Sequence, residues 1–215
     1  MERTLFADLP DEIYEAIETY EKAKPNLYIS LCNAEDNQGL LKEVPHRIIG
    51  EIAMTYRIFV NKENSIISCV SITNDLMEHF GIDENQLHED AMKNAPLVHK
   101  WVICPLSDVL NGRIPWDSNT LVATNEYRFD GAAVIFYPEV KKELMERFGK
   151  KYFVIPTDSD QVLILPYSES KIDMYNTALS FVNKNIETNK KLADHVLVYD
   201  SASDQYLPAY RSFLS

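Results

Sequence analysis

The chain has 215 residues, a formal net charge of -12 at pH 7 and a pI near 4.8. It is long enough to bury a sizeable core, and its 46% hydrophobic and 25% charged residues are typical of globular domains, which excludes the disordered and fibrous classes. Binding to a phosphate backbone requires a basic stripe, so we expect no nucleic-acid partner. The densest basic group, Lys184, Lys190 and Lys191, is diluted by Glu187, which favours a solvated helix end.

The sequence also predicts the compartment. The first residues lack the basic and apolar regions of a signal peptide, and no run approaches ~18 consecutive apolar residues, so we expect no membrane partner. Cys32, Cys69 and Cys104 are far apart and lack CxxC spacing, which favours buried reduced thiols over a disulfide framework or a zinc site. We therefore expect a soluble cytoplasmic protein.

The first third of the chain predicts a helix, a strand and a hairpin. Apolar residues at helical spacing predict a helix over residues 10–23 that stops at Pro25, and LYISLC at 27–32 predicts a strand. Alternating and β-branched residues predict a hairpin with strands near 54–61 and 66–73. For the residues just before the first of these strands, a helical turn or two is an equal alternative.

A short helix and a second helix are expected next, either as two antiparallel helices or as one kinked pair. Asn74 can N-cap the first, which Gly81 terminates, and Asp83 can cap the second, which runs until Pro96. WVICPLSDVL then predicts a strand followed by a helical turn. Residues 111–120, NGRIPWDSNT, form the clearest loop. We expect a single domain over residues 1–215, either undivided or made of two lobes with a seam at this loop.

The second half contains the most apolar segments, over residues 121–165. LVAT predicts a strand, and AAVIFY at 132–137 predicts a buried strand. Pro138 can begin a helix that Gly149 ends. KYFVIP and QVLILP predict a hairpin, because the polar TDSD between them is too short for a parallel crossover. Apolar spacing then predicts a helix over 172–186, and HVLVYD predicts a last strand before a polar, frayed tail.

The order of the elements indicates the fold class. The second half is predicted to follow the order β-α-β-β-α-β, after a hairpin and helices in the first half. Tight hairpins exclude a purely parallel, doubly wound sheet. We therefore predict an α+β fold with a mixed, mainly antiparallel sheet and flanking helices.

Sequence motifs exclude several chemistries. Only six glycines are present, and none occurs as GxGxxG or GxxxxGK[ST], which argues against dinucleotide and P-loop binding. The histidines form no HExxH or HxH pattern, and the nearest cluster, His79, Asp83 and His88, is better explained as exposed helix side chains. No GxSxG elbow exists. We therefore expect no cofactor and no metal site.

A cysteine nucleophile is a further alternative. Cys69 would require a base such as His46 or His195, either of which can be distant in sequence. Cys69 lies inside the apolar run IISCVSIT, however, where a small buried core residue is the favoured interpretation.

Two polar groups remain as candidate sites. Thr157, Asp158 and Asp160 can bind a hard cation, but hairpin turns select the same residue types, so a structural turn is favoured. Asp194 and His195 can together tune a proton acceptor. Adjacent strand residues point to opposite faces, however, so we expect no contact between them and favour a role in anchoring the last strand.

Several stretches carry a family resemblance: LLKEVPHRIIGEIAMTYRIFV, DAMKNAP, FDGAAVIFYPEVKKELMERFG, VIPTDSDQVLILP and LADHVLVYD. Over residues 27–205 the chain resembles the family catalogued as domain of unknown function 5688, found mainly in anaerobic Gram-positive gut bacteria. The resemblance implies no established activity, cofactor or substrate. In the family pattern, a Pro-Ser-Ser turn is followed by His-Glu where this chain has Asp160 and Gln161. If that pair is catalytic in the family, this chain lacks it, which favours a structural or binding role for the turn. The positions that agree with the family are Pro45, His46, Arg47, Asn125, Gly131, Tyr137, Pro138, Asp194, His195 and Asp200.

Two functions follow as hypotheses. The first is a soluble, non-catalytic interaction or small-ligand binding protein that uses a groove between sheet and helices, and its partner is a protein or a small molecule. The second is a hydrolase-like enzyme that uses His46, His195 and a carboxylate such as Asp194 or Asp200. We favour the first, because no converging set of ionisable groups is visible in the sequence. Its candidate binding residues are Arg47, Thr157, Asp158 and Asp160.

Overall fold

The computed structural model describes residues 10–64, 66–110 and 119–210, and it confirms the predicted α+β fold. No helix among these residues is long and apolar enough to cross a membrane. The helices are α1 (Asp11–Ile17), α2 (Tyr20–Ala23), α3 (Gln38–Leu41), α4 (Asn74–Phe80), α5 (Glu84–Val98), α6 (Leu106–Val109), α7 (Pro138–Phe148) and α8 (Ile172–Asn183). The strands are β1 (Leu27–Asn33), β2 (His46–Ile49), β3 (Ile52–Glu63), β4 (Ile66–Ser71), β5 (Trp101–Pro105), β6 (Leu121–Asn125), β7 (Lys151–Asp158), β8 (Gln161–Pro166), β9 (Leu197–Asp200) and β10 (Gln205–Pro208).

The chain divides into two compact units. The first unit comprises Met1–Ile29, Gly39–His46 and Thr55–Val98. The second unit comprises Ser30–Gln38, Arg47–Met54 and His99–Ser215. The expectation of one domain with a seam near residues 111–120 stays a prediction, because residues 111–118 lie outside the described part of the chain.

A β-hairpin and capped helices form the first unit. The predicted hairpin is confirmed, since β3 and β4 pair antiparallel with an irregularity between Phe59 and Asn61. The Asp83 carboxylate accepts the backbone N–H of Gln86 at 2.9 Å, as the capping pattern predicted. The four-stranded sheet has the order β1-β3-β2, with β4 paired to β3, and its residues are divided between the two units.

Three boundary predictions in this part of the chain were wrong. The helix expected over residues 10–23 is broken at Thr19, whose extended backbone and side chain cap α2. Thr73 rather than Asn74 caps α4, because its hydroxyl accepts the N–H of Leu76 at 3.1 Å. Helix α5 continues through Pro96 to its end at Val98. The helical alternative before β3 is also wrong, because residues 46–49 form a strand.

A six-stranded antiparallel sheet organises the second unit, in the order β10-β9-β7-β8-β6-β5. The central strand β7 buries side chains on both of its faces. Phe153 packs with Tyr175 of α8, while Tyr152 on the opposite face contacts Phe148 of α7. Both sheet faces are therefore covered, which explains why β7 is continuously apolar instead of alternating.

One predicted strand is a helix. AAVIFY was expected to be a buried strand, but Gly131–Phe136 is a 3-10 helix in which every residue is buried. Asp130 adopts a left-handed conformation (φ 52°) that turns the chain, and Ala132 donates its N–H to the Ser159 carbonyl instead of to a neighbouring strand. A short buried apolar run has the same composition in a strand and in a helix, so periodicity could not separate them.

A frayed tail was predicted after β9, but residues 205–208 form the strand β10; the last part of that prediction, residues 211–215, lies outside the described part of the chain. β10 pairs with β9 over Gln205 to Pro208. Tyr206 of β10 is buried, and its hydroxyl donates to the Ile135 carbonyl at 2.6 Å. This bond ties the strand to the 3-10 helix, a contact that the polar sequence did not indicate.

Candidate functional site

The tip of the β7–β8 hairpin is a closed polar turn. The Asp158 carboxylate accepts the backbone N–H groups of Asp160 and Gln161 at 2.8 and 3.0 Å. The Thr157 hydroxyl donates to the Gln161 carbonyl at 2.9 Å. Burial is the main cause that raises the pKa of the Asp158 carboxyl. The structure thus places the predicted binding residues Thr157 and Asp158 in positions that stabilise the turn.

Asp160 connects this turn to three other segments of the second unit. Its carboxylate accepts the backbone N–H of Asp130 at 3.1 Å and the Lys190 ammonium at 2.6 Å. Its carbonyl accepts the Thr124 hydroxyl at 2.6 Å. The buried Asp130 carboxylate in turn accepts the Ser30 hydroxyl at 2.8 Å. The hydrogen bond to Asp160 raises the pKa of Lys190. These carboxylates are therefore engaged with protein groups.

A histidine–carboxylate contact lies elsewhere in the same unit. One Glu51 oxygen accepts the backbone N–H groups of Asp194 and His195 at 2.7 and 3.1 Å, and the other contacts Nδ1 of His195. The Tyr210 ring lies 4.9 Å from the imidazole, centroid to centroid. His195 keeps 37% of its side chain exposed. The imidazole is thus fixed through Nδ1, with part of its surface open to solvent.

The hydrolase hypothesis named Asp194 and Asp200 as carboxylates for His195, and the structure pairs each of them with a lysine. Asp194 forms an ion pair with Lys191 at 3.0 Å, and Asp200 forms one with Lys151 at 3.0 Å. The carboxylate that meets the imidazole belongs to Glu51, which the sequence analysis did not single out. Nothing local marks Glu51, because the contact joins residues 144 positions apart.

The remaining predicted positions are spread over both units. His46 belongs to the first unit, and its Nδ1 lies 2.9 Å from the Val44 carbonyl oxygen. Arg47 belongs to the second unit and is partly buried in β2. Arg57 donates to the Cys69 sulfur over 3.9 Å in the first unit. The combination of His46 with His195 stays a prediction.

No metal-binding group is apparent in the described ranges. Among residues 10–64, 66–110 and 119–210, no cluster of three or more histidine, cysteine, aspartate or glutamate side chains has a geometry that would hold a metal ion. Cys32, Cys69 and Cys104 form no disulfide bond, and all three are only partly buried, where buried thiols were expected.

A cavity of about 300 Å³ opens at one edge of the six-stranded sheet, beside the end of α7. Strand β6 runs antiparallel to both of its neighbours, β5 and β8. The start of β6 therefore lies beside the ends of β5 and β8, and the terminal residues of these strands line the cavity. Arg147 reaches it from the last turn of α7, where a cation is favoured by the helix dipole. The described lining residues are Pro105, Asn119, Leu121, Arg147, Phe148 and Pro166.

Arg147 differs from the other charged groups described above. It is exposed, and its guanidinium forms no ion pair or hydrogen bond with any residue in the described part of the chain. Sequence reasoning missed this position, because an arginine near a helix end usually lies on a solvated face.

Comparison with known proteins gives a family but no activity. A family model described as "Family of unknown function (DUF5688)" matches residues 7–201. Neither a search of the curated proteins nor a search of the solved structures found a match.

Proposed function

The chain belongs to the family of unknown function DUF5688, and we propose that it is a non-catalytic binding protein that takes a small organic acid in the cavity beside Arg147. The observation that carries the proposal is the Arg147 guanidinium, which lines a cavity without an acidic partner among the described residues. In a chain with a net charge of -12, acidic partners are abundant. A guanidinium left without one at a cavity supports a ligand that brings its own carboxylate.

The other residues that line the cavity favour a ligand whose remaining part is apolar. Phe148 offers an aromatic ring, and Leu121, Pro105 and Pro166 offer aliphatic surface. The volume of about 300 Å³ lies at the lower end of the range of small-ligand sites. A carboxylate attached to a flat ring or a short chain matches this lining.

Calorimetric titration of the full chain with benzoate tests the proposal, with neutral benzamide as the matched ligand. We expect benzoate to bind the natural protein and benzamide to bind roughly tenfold more weakly, because it lacks the charge that the guanidinium pairs with. Arg147→Ala should weaken benzoate binding by roughly tenfold or more. Lys142→Ala removes the same charge from an exposed position of α7 and should leave binding unchanged.

Three results would contradict the proposal. They are no benzoate binding at millimolar concentration, equal affinity for benzoate and benzamide, and equal effects of Arg147→Ala and Lys142→Ala. The last result would indicate a general charge effect rather than a site at Arg147.

The cytoplasm is the location that we propose for this function. The three cysteines carry no disulfide bond, which is typical of a reducing compartment, and the acidic surface favours a soluble protein. Fractionation of cells that produce the full chain tests this. Recovery with membranes would contradict it.

A hydrolase-like enzyme is the second candidate function, and the Glu51–His195 contact favours it. Hydrogen bonding to Glu51 places the imidazole proton on Nδ1, so the neutral ring has its lone pair on Nε2. Nε2 can then take a proton from a water molecule as that water attacks an ester carbonyl, and return the proton to the leaving alkoxide.

Hydrolysis of p-nitrophenyl acetate tests this second candidate. His195→Ala and Glu51→Gln should both lower the rate at least roughly tenfold if the pair acts as a general base. His79→Ala is the control, because it removes another exposed imidazole, and any exposed imidazole hydrolyses this ester slowly. An equal loss in His79→Ala and His195→Ala would exclude the second candidate.

A further inference from the structure

Helix α8 is fixed against the six-stranded sheet by one face. Its buried residues Ile172, Tyr175 and Leu179 belong to an apolar cluster with sheet residues such as Phe153. Asn176 locks the rotation of the helix, because its side chain accepts the N–H of Val196 at 2.8 Å and donates to the Ala209 carbonyl at 3.0 Å. The orientation of the opposite face is therefore well defined.

That opposite face carries two exposed apolar side chains. Met174 is 52% exposed and Phe181 is 70% exposed, and they lie two helical turns apart on one side of α8. The small residues Thr177 and Ser180 lie between them and line a shallow surface groove of about 550 Å³. Large apolar groups aligned on one helix face are typical of an interaction surface.

We propose that this face of α8 docks antiparallel on the same face of a second copy of the chain. Charges stand at both ends of the face, with Asp173 in the first turn and Lys184 at the C-cap. In an antiparallel, two-fold arrangement, Asp173 of each copy meets Lys184 of the other, and Met174 of each meets Phe181 of the other. The charge pair is centred between Ala178 and Leu179, and the apolar pair between Thr177 and Ala178, so one two-fold axis at Ala178 brings both pairs within side-chain reach.

This self-complementarity is the reason for assigning a second copy as the partner. An unrelated partner would not require that the charge pair and the apolar pair both be centred beside Ala178. The small side chains near that centre allow two helices to approach closely. The proposal is independent of ligand binding at Arg147, because it uses a different helix of the second unit.

Sedimentation equilibrium of the full chain tests the apolar contact. We expect a reversible dimer with a dissociation constant on the order of 0.1 mM, because a contact centred on one 12-residue helix is smaller than a standard interface. Phe181→Glu should weaken this dimer at least roughly tenfold. Leu97→Glu is the matched control, since Leu97 is 75% exposed on α5, and its dissociation constant should stay unchanged.

A charge exchange then tests the geometry. Asp173→Lys alone and Lys184→Glu alone each place like charges opposite one another in the dimer and should weaken it by roughly threefold or more. An equimolar mixture of the two variants should dimerise more tightly than either alone, because both cross pairs become opposite in charge. Circular dichroism spectra and unfolding temperatures check that each variant is folded.

Two results would overturn the proposal. In the first, the natural protein stays monomeric up to about 1 mM, well above the expected dissociation constant. That result would mean that this face of α8 binds a different partner. The other is a mixture of Asp173→Lys and Lys184→Glu that associates no better than the separate variants, which would exclude the antiparallel arrangement.

Discussion

The backbone N–H of Asp130 donates to the carboxylate of Asp160 over 3.1 Å, which ties the turn after β6 to the tip of the β7–β8 hairpin. The other carboxylate oxygen of Asp160 takes the Lys190 ammonium at 2.6 Å. A single side chain thus joins three segments that are distant in sequence. Because the Asp130 N–H is held where water has little access, its bond contributes more to stability than the ion pair, whose lysine side chain is 43% exposed.

This difference predicts that Asp160→Ala and Lys190→Ala lower the free energy of unfolding by unequal amounts. Asp160→Ala should lower the free energy of unfolding by about 2 kcal/mol, because it removes the ion pair and leaves the Asp130 N–H without its acceptor. Lys190→Ala should cost less than about 1 kcal/mol. Urea unfolding followed by circular dichroism measures both. Equal costs would mean that the ion pair, and not the backbone bond, is the main contribution of Asp160.

Gly131 should tolerate no side chain. A Cβ atom there would overlap the Asp160 carbonyl oxygen and the Thr124 hydroxyl, and would lie 2.8 Å from the Asn125 nitrogen. Two of these are backbone atoms that cannot rotate away, so Gly131→Ala should cost about 3 kcal/mol of unfolding free energy. Gly39→Ala is the control, because nothing lies within 4 Å of its Cβ position and it lies in α3. Urea unfolding should show no loss for Gly39→Ala, and similar values for the two variants would contradict the clash.

The sequence predicted those elements of the fold that are determined by residues close together in the chain. Pro138 and Gly149 bound α7 by their own backbone preferences, and the four polar residues of the 157–160 turn define a hairpin locally. The 3-10 helix Gly131–Phe136 was missed because its conformation depends on a distant acceptor, the Ser159 carbonyl. Local signals were sufficient only where the structure depends on local contacts.

The candidate site follows the same division. His195 was visible because histidine is a rare residue type with its own chemistry, whereas Glu51 is one of 33 acidic residues and gains its role only through a contact formed on folding. No motif in the sequence identifies Arg147 either. Its cavity exists only because the ends of β5 and β8 and the start of β6 meet at one edge of the sheet.

Because His99 is buried, we expect the protein to lose stability in mild acid. His99 is 1% exposed, and burial lowers its pKa to about 4, whereas an unfolded histidine titrates near 6.5. Between these values the unfolded chain binds a proton that the folded chain excludes, so the stability contribution is complete above about pH 6.5 and is lost as the pH falls toward 4. The natural protein should lose about 2 to 3 kcal/mol from this group between pH 7.5 and pH 4.5.

Comparison with His99→Gln isolates this effect. Glutamine has no titrating group and can still accept the hydrogen bond that the Asn125 amide makes with Nδ1 of His99 at 3.5 Å. Acidic groups such as Asp158 titrate in both proteins and cancel in the difference. The stability difference between the two proteins should therefore shrink by about 2 to 3 kcal/mol from pH 7.5 to pH 4.5. A difference that does not change with pH would show that His99 is protonated in the folded state.

Glu51 should hold the segment that precedes β9. Its carboxylate accepts the N–H groups of Asp194 and His195 and contacts the imidazole, so Glu51→Ala removes all three interactions together. We expect a loss of about 2 kcal/mol in unfolding free energy and faster amide hydrogen exchange at residues 194 and 195, because both N–H groups lose their acceptor. Glu51→Gln keeps one carbonyl oxygen and should retain part of the protection. Glu146→Ala, which removes an exposed carboxylate of α7, should change neither quantity, and unchanged exchange at residues 194 and 195 in Glu51→Ala would show that these amides are protected by other contacts.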